Sequence, residues 1–231
     1  MMIGIIGAME EETRVLLEKM ENPQKEVIHH LEYISGLIDN KKVVLAQSGI
    51  GKVNSALATA FLIDRYKPEV VINTGSAGGL KHTLAVGDVV IADSLAYHDV
   101  DATVFGYQKG QVPQMPALYE SAPNVVENIM KAAQEVGLAA EKGLIVSSDS
   151  FIASKEEITR IISEFPEAYA TEMEGASIAQ TCYTMDVPFV VVRAISDRAD
   201  EEASISFDDF IVEAGKKSAE MVIEFIKYYS E

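Results

Sequence analysis

The sequence predicts an α/β fold organised as one domain over residues 1–231. Apolar runs of strand length alternate with helical patterns from end to end, the pattern of strands and helices sharing one sheet. No Ser/Pro/Gly-rich linker and no internal repeat divides the chain. The run from Val187 to Ile195 is apolar apart from Arg193 and stops at Ser196-Asp197, so it reads as a strand buried on both faces. In open α/β sheets ligands bind beyond the carboxyl ends of the strands, which makes Asp197 the first candidate for chemistry.

In chain order, Met2 to Ala8 reads as a strand and Glu10 to about Met20 as a helix. A polar hairpin-like stretch, His30 to Leu37, leads through the turn Asp39-Asn40 to Val43–Ala46. After Gly49-Ile50-Gly51, apolar residues at Val53, Leu57, Phe61 and Ile63 mark a helix to Tyr66 that Pro68 ends. Val70 to Asn73 is the next strand, and Asp88 to Ala92 another. Tyr97 to Met115 is loop-like and aromatic. Pro123 suits the first position of a helix reaching Val136. Gly143 to Val146 is a strand, and Ser154 with Glu157 forms a capping box for a helix that stops before Pro166. A short strand at Tyr169–Thr171, a helix from Glu174 to Met185 and the long strand follow, and Ser206 with Asp209 marks the start of a final helix.

Composition narrows the function classes. A net charge of -17, with 36 acidic against 19 basic residues, repels phosphate backbones and anionic membranes, so nucleic acid and membrane are not expected partners. A neutral or zwitterionic small molecule is compatible with it. Cys182 is the single cysteine and the four histidines are scattered, which leaves no metal-ligand spacing and no intrachain disulfide. Met1 to Met9 runs into Glu10-Glu11-Glu12 without a basic segment before it or a cleavage site after it. It does not read as a signal peptide, and a cytoplasmic location is expected.

Several strand exits carry unusual residues. In Glu10-Glu11-Glu12 all three carboxylates can serve the positive end of a helix, or one can turn inward to a pocket. Thr74-Gly75-Ser76-Ala77-Gly78-Gly79 and Gly49-Ile50-Gly51-Lys52 match neither a P-loop nor a dinucleotide fingerprint; each is a tight turn or a close approach to a ligand. Phe151 is either core or an exposed ring that stacks on a flat heterocycle. In Glu172-Met173-Glu174 one carboxylate can cap a helix while the other faces a ligand such as vicinal sugar hydroxyls. Arg193, inside an apolar strand, needs paired acceptors, whether its bridge only stabilises the sheet or also organises a pocket carboxylate.

Five segments in order are Ile3–Glu12, Ser48–Asn54, Asn73–Gly79, Glu172–Ala176 and Val192–Asp197. Together they make the chain resemble the methylthioadenosine/adenosylhomocysteine nucleosidases of the purine nucleoside phosphorylase superfamily, over nearly its whole length. The resemblance implies a three-layer α/β/α sandwich around a mixed, partly barrel-like sheet, working as a homodimer without metal or cofactor. It implies that Asp197 protonates adenine N7, that Glu12 activates the attacking water, and that Glu174 holds the ribose hydroxyls over Met173. Phe151 would stack on adenine and the Ile152 backbone would read its edge. Ser76 and Gly78 would line the pocket, and Arg193 with Ser196 would support Asp197. Met9, Ile50 and Phe207 would bound the 5′-substituent, joined by Phe105 and Pro113 from the neighbouring subunit. Cleavage through an oxocarbenium-like state requires such an acid at the base and a carboxylate at the nucleophile. A guanidinium touching Asp197 would oppose proton delivery, so Arg193 is expected to act through another carboxylate or a water.

The chain departs from the pattern at Ser150, before Phe151, and at Arg198, after Asp197. Three alternatives share the fold: a phosphorylase, a futalosine-type nucleoside hydrolase and a non-catalytic nucleoside binder. Against the first, Arg14, Arg65 and Arg160 lie in helical segments away from the strand exits, and three glutamates at the first exit repel phosphate.

Overall fold

The first strand, β1 (Met2–Gly7), is buried along five of its six residues and pairs in parallel on both sides. A continuous apolar run predicts that placement. Its neighbours are β4 (Lys41–Gln47) and β5 (Val70–Gly79). Outside β4 the sheet continues antiparallel through β3 (Leu31–Ile38) to an edge strand, β2 (Glu21–Ile28). A computed structural model describes residues 2–198 and 203–229, with the side chains of all but 203–209.

On the other side of β1 the sheet closes on itself. β5 pairs with β10 (Phe189–Asp197), β10 with β6 (Val89–Tyr97), β6 with β8 (Ala140–Ser147), β8 with β9 (Ala168–Glu172), and β9 returns to β5. This is a five-stranded barrel-like closure of a mixed sheet. The two-residue β7 (Tyr119–Glu120) adds to β6. The closing contact is short, with Gly78 opposite Thr171 and Gly79 opposite Ala170. The outlets of β5 and β10 therefore face those of β8 and β9.

Helices cover both faces. α1 (Glu10–Lys19), α3 (Pro123–Glu135) and α6 (Ala203–Tyr228) share one core, in which Leu16, Ile129 and Phe225 pack on Ile3, Ile5 and Ile72. α2 (Lys52–Tyr66) and α5 (Gly175–Thr184) pack the opposite face through Leu62, Ile178 and Cys182 against Ile6, Val71 and Val191. α4 (Lys155–Glu164) covers β8 and β9 with Ile161. The serine half of the expected capping box forms, Ser154 Oγ accepting the Glu157 N–H at 3.3 Å. The layers are those of the α/β/α sandwich expected from the sequence. Among the described residues no helix is long and apolar enough to cross a membrane.

Three expectations are corrected. Thr74–Gly79 is not a turn after β5 but its continuation, and Gly75, Gly78 and Gly79 keep out of the left-handed region. Glu21–Ile28 forms a strand that its exposed, polar sequence concealed. The last helix starts at Ala203, three residues before Ser206.

Candidate active site

Glu12, in the first turn of α1, is buried, while Glu10 is exposed. Its carboxylate reaches back over the helix start, Oε2 accepting the N–H of Ala8 at 2.8 Å and of Met9 at 3.2 Å. This is the carboxylate half of a capping box. Oε1 turns to the neighbouring strand and accepts the Ser76 N–H at 3.0 Å and its hydroxyl at 3.2 Å. The missing side chain of Gly75 makes room: a Cβ there would lie 2.6 Å from Oε1. Of the two readings of the glutamate triplet, the structure has Glu12 turned inward.

On the other side of β5, Asp197 ends β10. Ile195 pairs with Ala77 and Asp197 with Gly78, so Ser196 is an extra residue in the ladder. Such a bulge re-aims the side chain that follows. Asp197 is buried, and Ser196 Oγ donates to its Oδ2 at 2.8 Å.

Glu172 and Glu174 divide their work as the sequence allowed. Glu172 Oε2 accepts the N–H groups of Glu174 at 3.0 Å and Gly175 at 2.7 Å, at the start of α5, where a carboxylate also meets the positive end of the helix. Ser147 Oγ donates a short hydrogen bond to its Oε1. Glu174 Oε1 accepts the Gly51 N–H at 2.9 Å. Arg193 is the cation beneath both. Its Nη2 lies 2.6 Å from Glu172 Oε2, 2.5 Å from Asn73 Oδ1 and 3.8 Å from Glu174 Oε2. The guanidinium is thus paired with Glu172 and hydrogen-bonded to Asn73.

The charges set the titration. Burial, then the neighbouring Glu172 charge, pushes Glu174 up to about 8, against the opposing pull of Arg193 and the Gly51 N–H. For Arg193, burial works against the charge, but Glu172, Glu174 and Glu12 outweigh it and hold the guanidinium above its usual value.

These residues surround a cavity of about 420 Å³. Met9, Glu12, Ile50, Ser76, Gly78, Phe151, Met173, Glu174, Ser196 and Asp197 line it together with Ala8, Ala77, Thr171 and Glu172. Phe151 is 44% exposed, so its ring is a wall of the cavity rather than core. Ile152 is buried behind it among Leu80, Val146 and Ile161, and Arg193 lies under the floor. Phe105 and Pro113 lie exposed on the loop after β6 and do not line this chain's cavity. The side chain of Phe207 lies outside the described residues. The sequence reading missed Ala8, Ala77, Thr171 and Glu172 as lining and Asn73 as the second acceptor of Arg193. An asparagine closing the apolar run Val70-Val71-Ile72 was the available signal for the last. Among the described residues no group of three His, Cys, Asp or Glu side chains is placed to hold a metal ion.

Residues 2–227 match the pattern of the phosphorylase superfamily. The chain belongs to that superfamily. It is 50% identical over 221 residues to a 5′-methylthioadenosine/S-adenosylhomocysteine nucleosidase of Staphylococcus aureus, covering 96% of this chain and 97% of that one. The fold superposes with a TM-score of 0.97 on the Neisseria meningitidis nucleosidase of the same name, in complex with methylthio-immucillin-A. That structure is 50% identical, and 99% of each chain is covered. A futalosine hydrolase of Helicobacter pylori superposes with a TM-score of 0.94 at 35% identity, over 99% of this chain and 98% of that one.

Proposed function

We propose that this protein is a nucleosidase that hydrolyses the N-glycosidic bond of 5′-methylthioadenosine and S-adenosylhomocysteine, releasing adenine and the 5′-substituted ribose. One observation carries the reading: Glu12 and Asp197, from the two sides of β5, line one cavity walled by the exposed ring of Phe151. Adenine stacks on Phe151 against the Ile152 backbone. Asp197, its carboxyl held by Ser196, delivers a proton to N7 as the bond between C1′ and N9 breaks and its electron pair passes to the base. Water adds to the oxocarbenium-like carbon and loses a proton to Glu12. Glu174 accepts hydrogen bonds from the ribose hydroxyls, with Met173 beneath the sugar. Met9 and Ile50 bound the 5′-substituent, and Phe207 belongs to the same group.

Water is favoured over phosphate as nucleophile by the charges. Arg14 pairs with Glu10, Arg65 with Glu26, Arg160 with Glu164 and Arg193 with Glu172, so these guanidiniums do not present a fork to an anion. The 50% identity to nucleosidases against 35% to a futalosine hydrolase favours the adenosine-type substrates. The reading also carries a single domain over residues 1–231, a cytoplasmic location and a homodimer in which Phe105 and Pro113 complete the partner's site. Exposed Val53, Leu57, Val104 and Phe105 supply apolar surface for that contact.

Replacing the proposed acid and base tests the assignment. Asp197→Asn should lower kcat for adenine release by at least about 10²-fold, the scale of a positioned general acid, with the fold retained. Glu12→Gln should lose turnover while still binding adenine nucleosides. Undiminished turnover in either variant would remove that residue from the mechanism.

A further inference from the structure

α2 begins at Lys52 without a capping side chain of its own. Its N-cap is Gly51, at φ 98° and ψ 162°. The first N–H groups of a helix need acceptors and draw negative charge. Two carboxylates from distant parts of the chain supply them: Glu174 takes the Gly51 N–H, and Asp149 Oδ1 takes the Lys52 N–H at 2.8 Å. A Cβ at Gly51 would lie 3.1 Å from that Asp149 oxygen, so the cap packs directly on the glycine. The Lys52 side chain then turns back over the same loop. Its Nζ lies 2.6 Å from Asp99 Oδ2, 3.6 Å from Asp149 Oδ2 and 5.3 Å from the Tyr97 ring centroid. Asp99 Oδ2 also accepts the Asp149 N–H at 3.3 Å. One residue further, Ser148 Oγ accepts the Ser150 N–H at 3.1 Å, which tightens the turn leading into Phe151.

We infer that Asp149, backed by Lys52 and Asp99, is a positioning residue that sets the place of the Phe151 wall relative to Glu174. The inference rests on the reading of Phe151 as the purine-stacking ring. The cluster joins three strand exits, those of β4, β6 and β8, and two of them carry proposed substrate contacts. Partial solvent exposure of Lys52, Asp99 and Asp149 makes their ion pairs weak contributors to stability. The directional element is the cap that Asp149 places on α2. An amide oxygen can replace it, because it accepts the same N–H.

Steady-state hydrolysis of methylthioadenosine by Asp149→Ala, Asp149→Asn, Phe151→Ala and the Asp149→Ala/Phe151→Ala double variant tests this. Asp149→Ala should raise KM about tenfold with kcat within about threefold of wild type, as for a lost ground-state contact. Asp149→Asn should restore most of the KM. In the Phe151→Ala background the same alanine should change KM less than about twofold, since residues acting as one unit are not additive. An unchanged KM in Asp149→Ala, an Asp149→Asn variant as impaired as Asp149→Ala, or a full effect without Phe151 would overturn the inference. Should Asp149→Ala fail to fold, Lys52→Met keeps the capped N–H. It is then expected to raise KM by about threefold, and a wild-type KM would overturn the inference. A wild-type protein that releases no adenine would instead contradict the proposed function. Adenine affinity of the same variants, by calorimetry, then reads the positioning separately.

Discussion

Glu174 lies beside a buried cation and a second buried carboxylate, and burial with the Glu172 charge pushes it up to about 8. Between about pH 4.5, the ordinary value, and about 8 the folded chain therefore holds a proton that the unfolded chain has released. The stability this group contributes is full below about 4.5 and is lost as pH rises through about 8. Glu174→Gln is neutral throughout, so the melting temperature of wild type should fall relative to this variant between pH 5 and 9; parallel curves would refute the shift. Arg193 is the counterweight. Its removal as Arg193→Met strands the buried Glu172 carboxylate and should cost about 3–5 kcal/mol in chemical denaturation, the cost of breaking a buried pair from one side. A loss under about 1 kcal/mol would show that Ser147 and the α5 N–H groups suffice for Glu172. The sequence showed that Arg193 needed acceptors. It left open which, because Asn73 and Glu172 are 120 and 21 residues away along the chain.

β5 shows how an element serves the site. Its glycines stay extended, and at Gly75 the absent side chain admits the Glu12 carboxylate. Gly75→Ala should leave the circular dichroism spectrum unchanged, since only the end of a flexible side chain has to move. It should lower kcat by about 10²-fold, because a shift of about 1 Å in a catalytic group is worth that much. Wild-type turnover would place Glu12 outside the mechanism. The same glycines explain the misread end of this strand. Glycine is depleted in strands, so Val70–Asn73 was legible and Thr74–Gly79 read as a turn. β2 was illegible for the opposite reason: it is an edge strand exposed along most of its length, and no burial pattern marks it. The apolar runs of β1, β4 and β10 and the capping signals at Pro123 and Ser154 were legible, because burial and unpaired N–H groups constrain the residue type directly. At the site, the residues alone left Glu10–Glu12 and Phe151 open. Long-range pairing decided both: β1 beside β5 sets Glu12 against Ser76, and the barrel closure forms the cavity that Phe151 walls.

On the scale of the molecule, the closed ring β5-β10-β6-β8-β9 brings strand outlets of opposite direction onto one cavity. The proposed acid, Asp197, ends β10 of that ring, and the proposed base, Glu12, reaches the same cavity from α1 beside β5. Phe105 and Pro113, exposed on this chain, carry the expectation of a second copy. Light scattering should give twice the 25.1 kDa chain mass, and Phe105→Ala should raise KM for methylthioadenosine while leaving Asp197 chemistry intact. A monomer with full activity would remove both residues from the site. Water, not phosphate, is the proposed nucleophile. Methylthioadenosine incubated with the protein in phosphate-free buffer should yield equimolar adenine and methylthioribose, at a rate that added phosphate does not change. A strict phosphate requirement, with methylthioribose 1-phosphate as product, would contradict it.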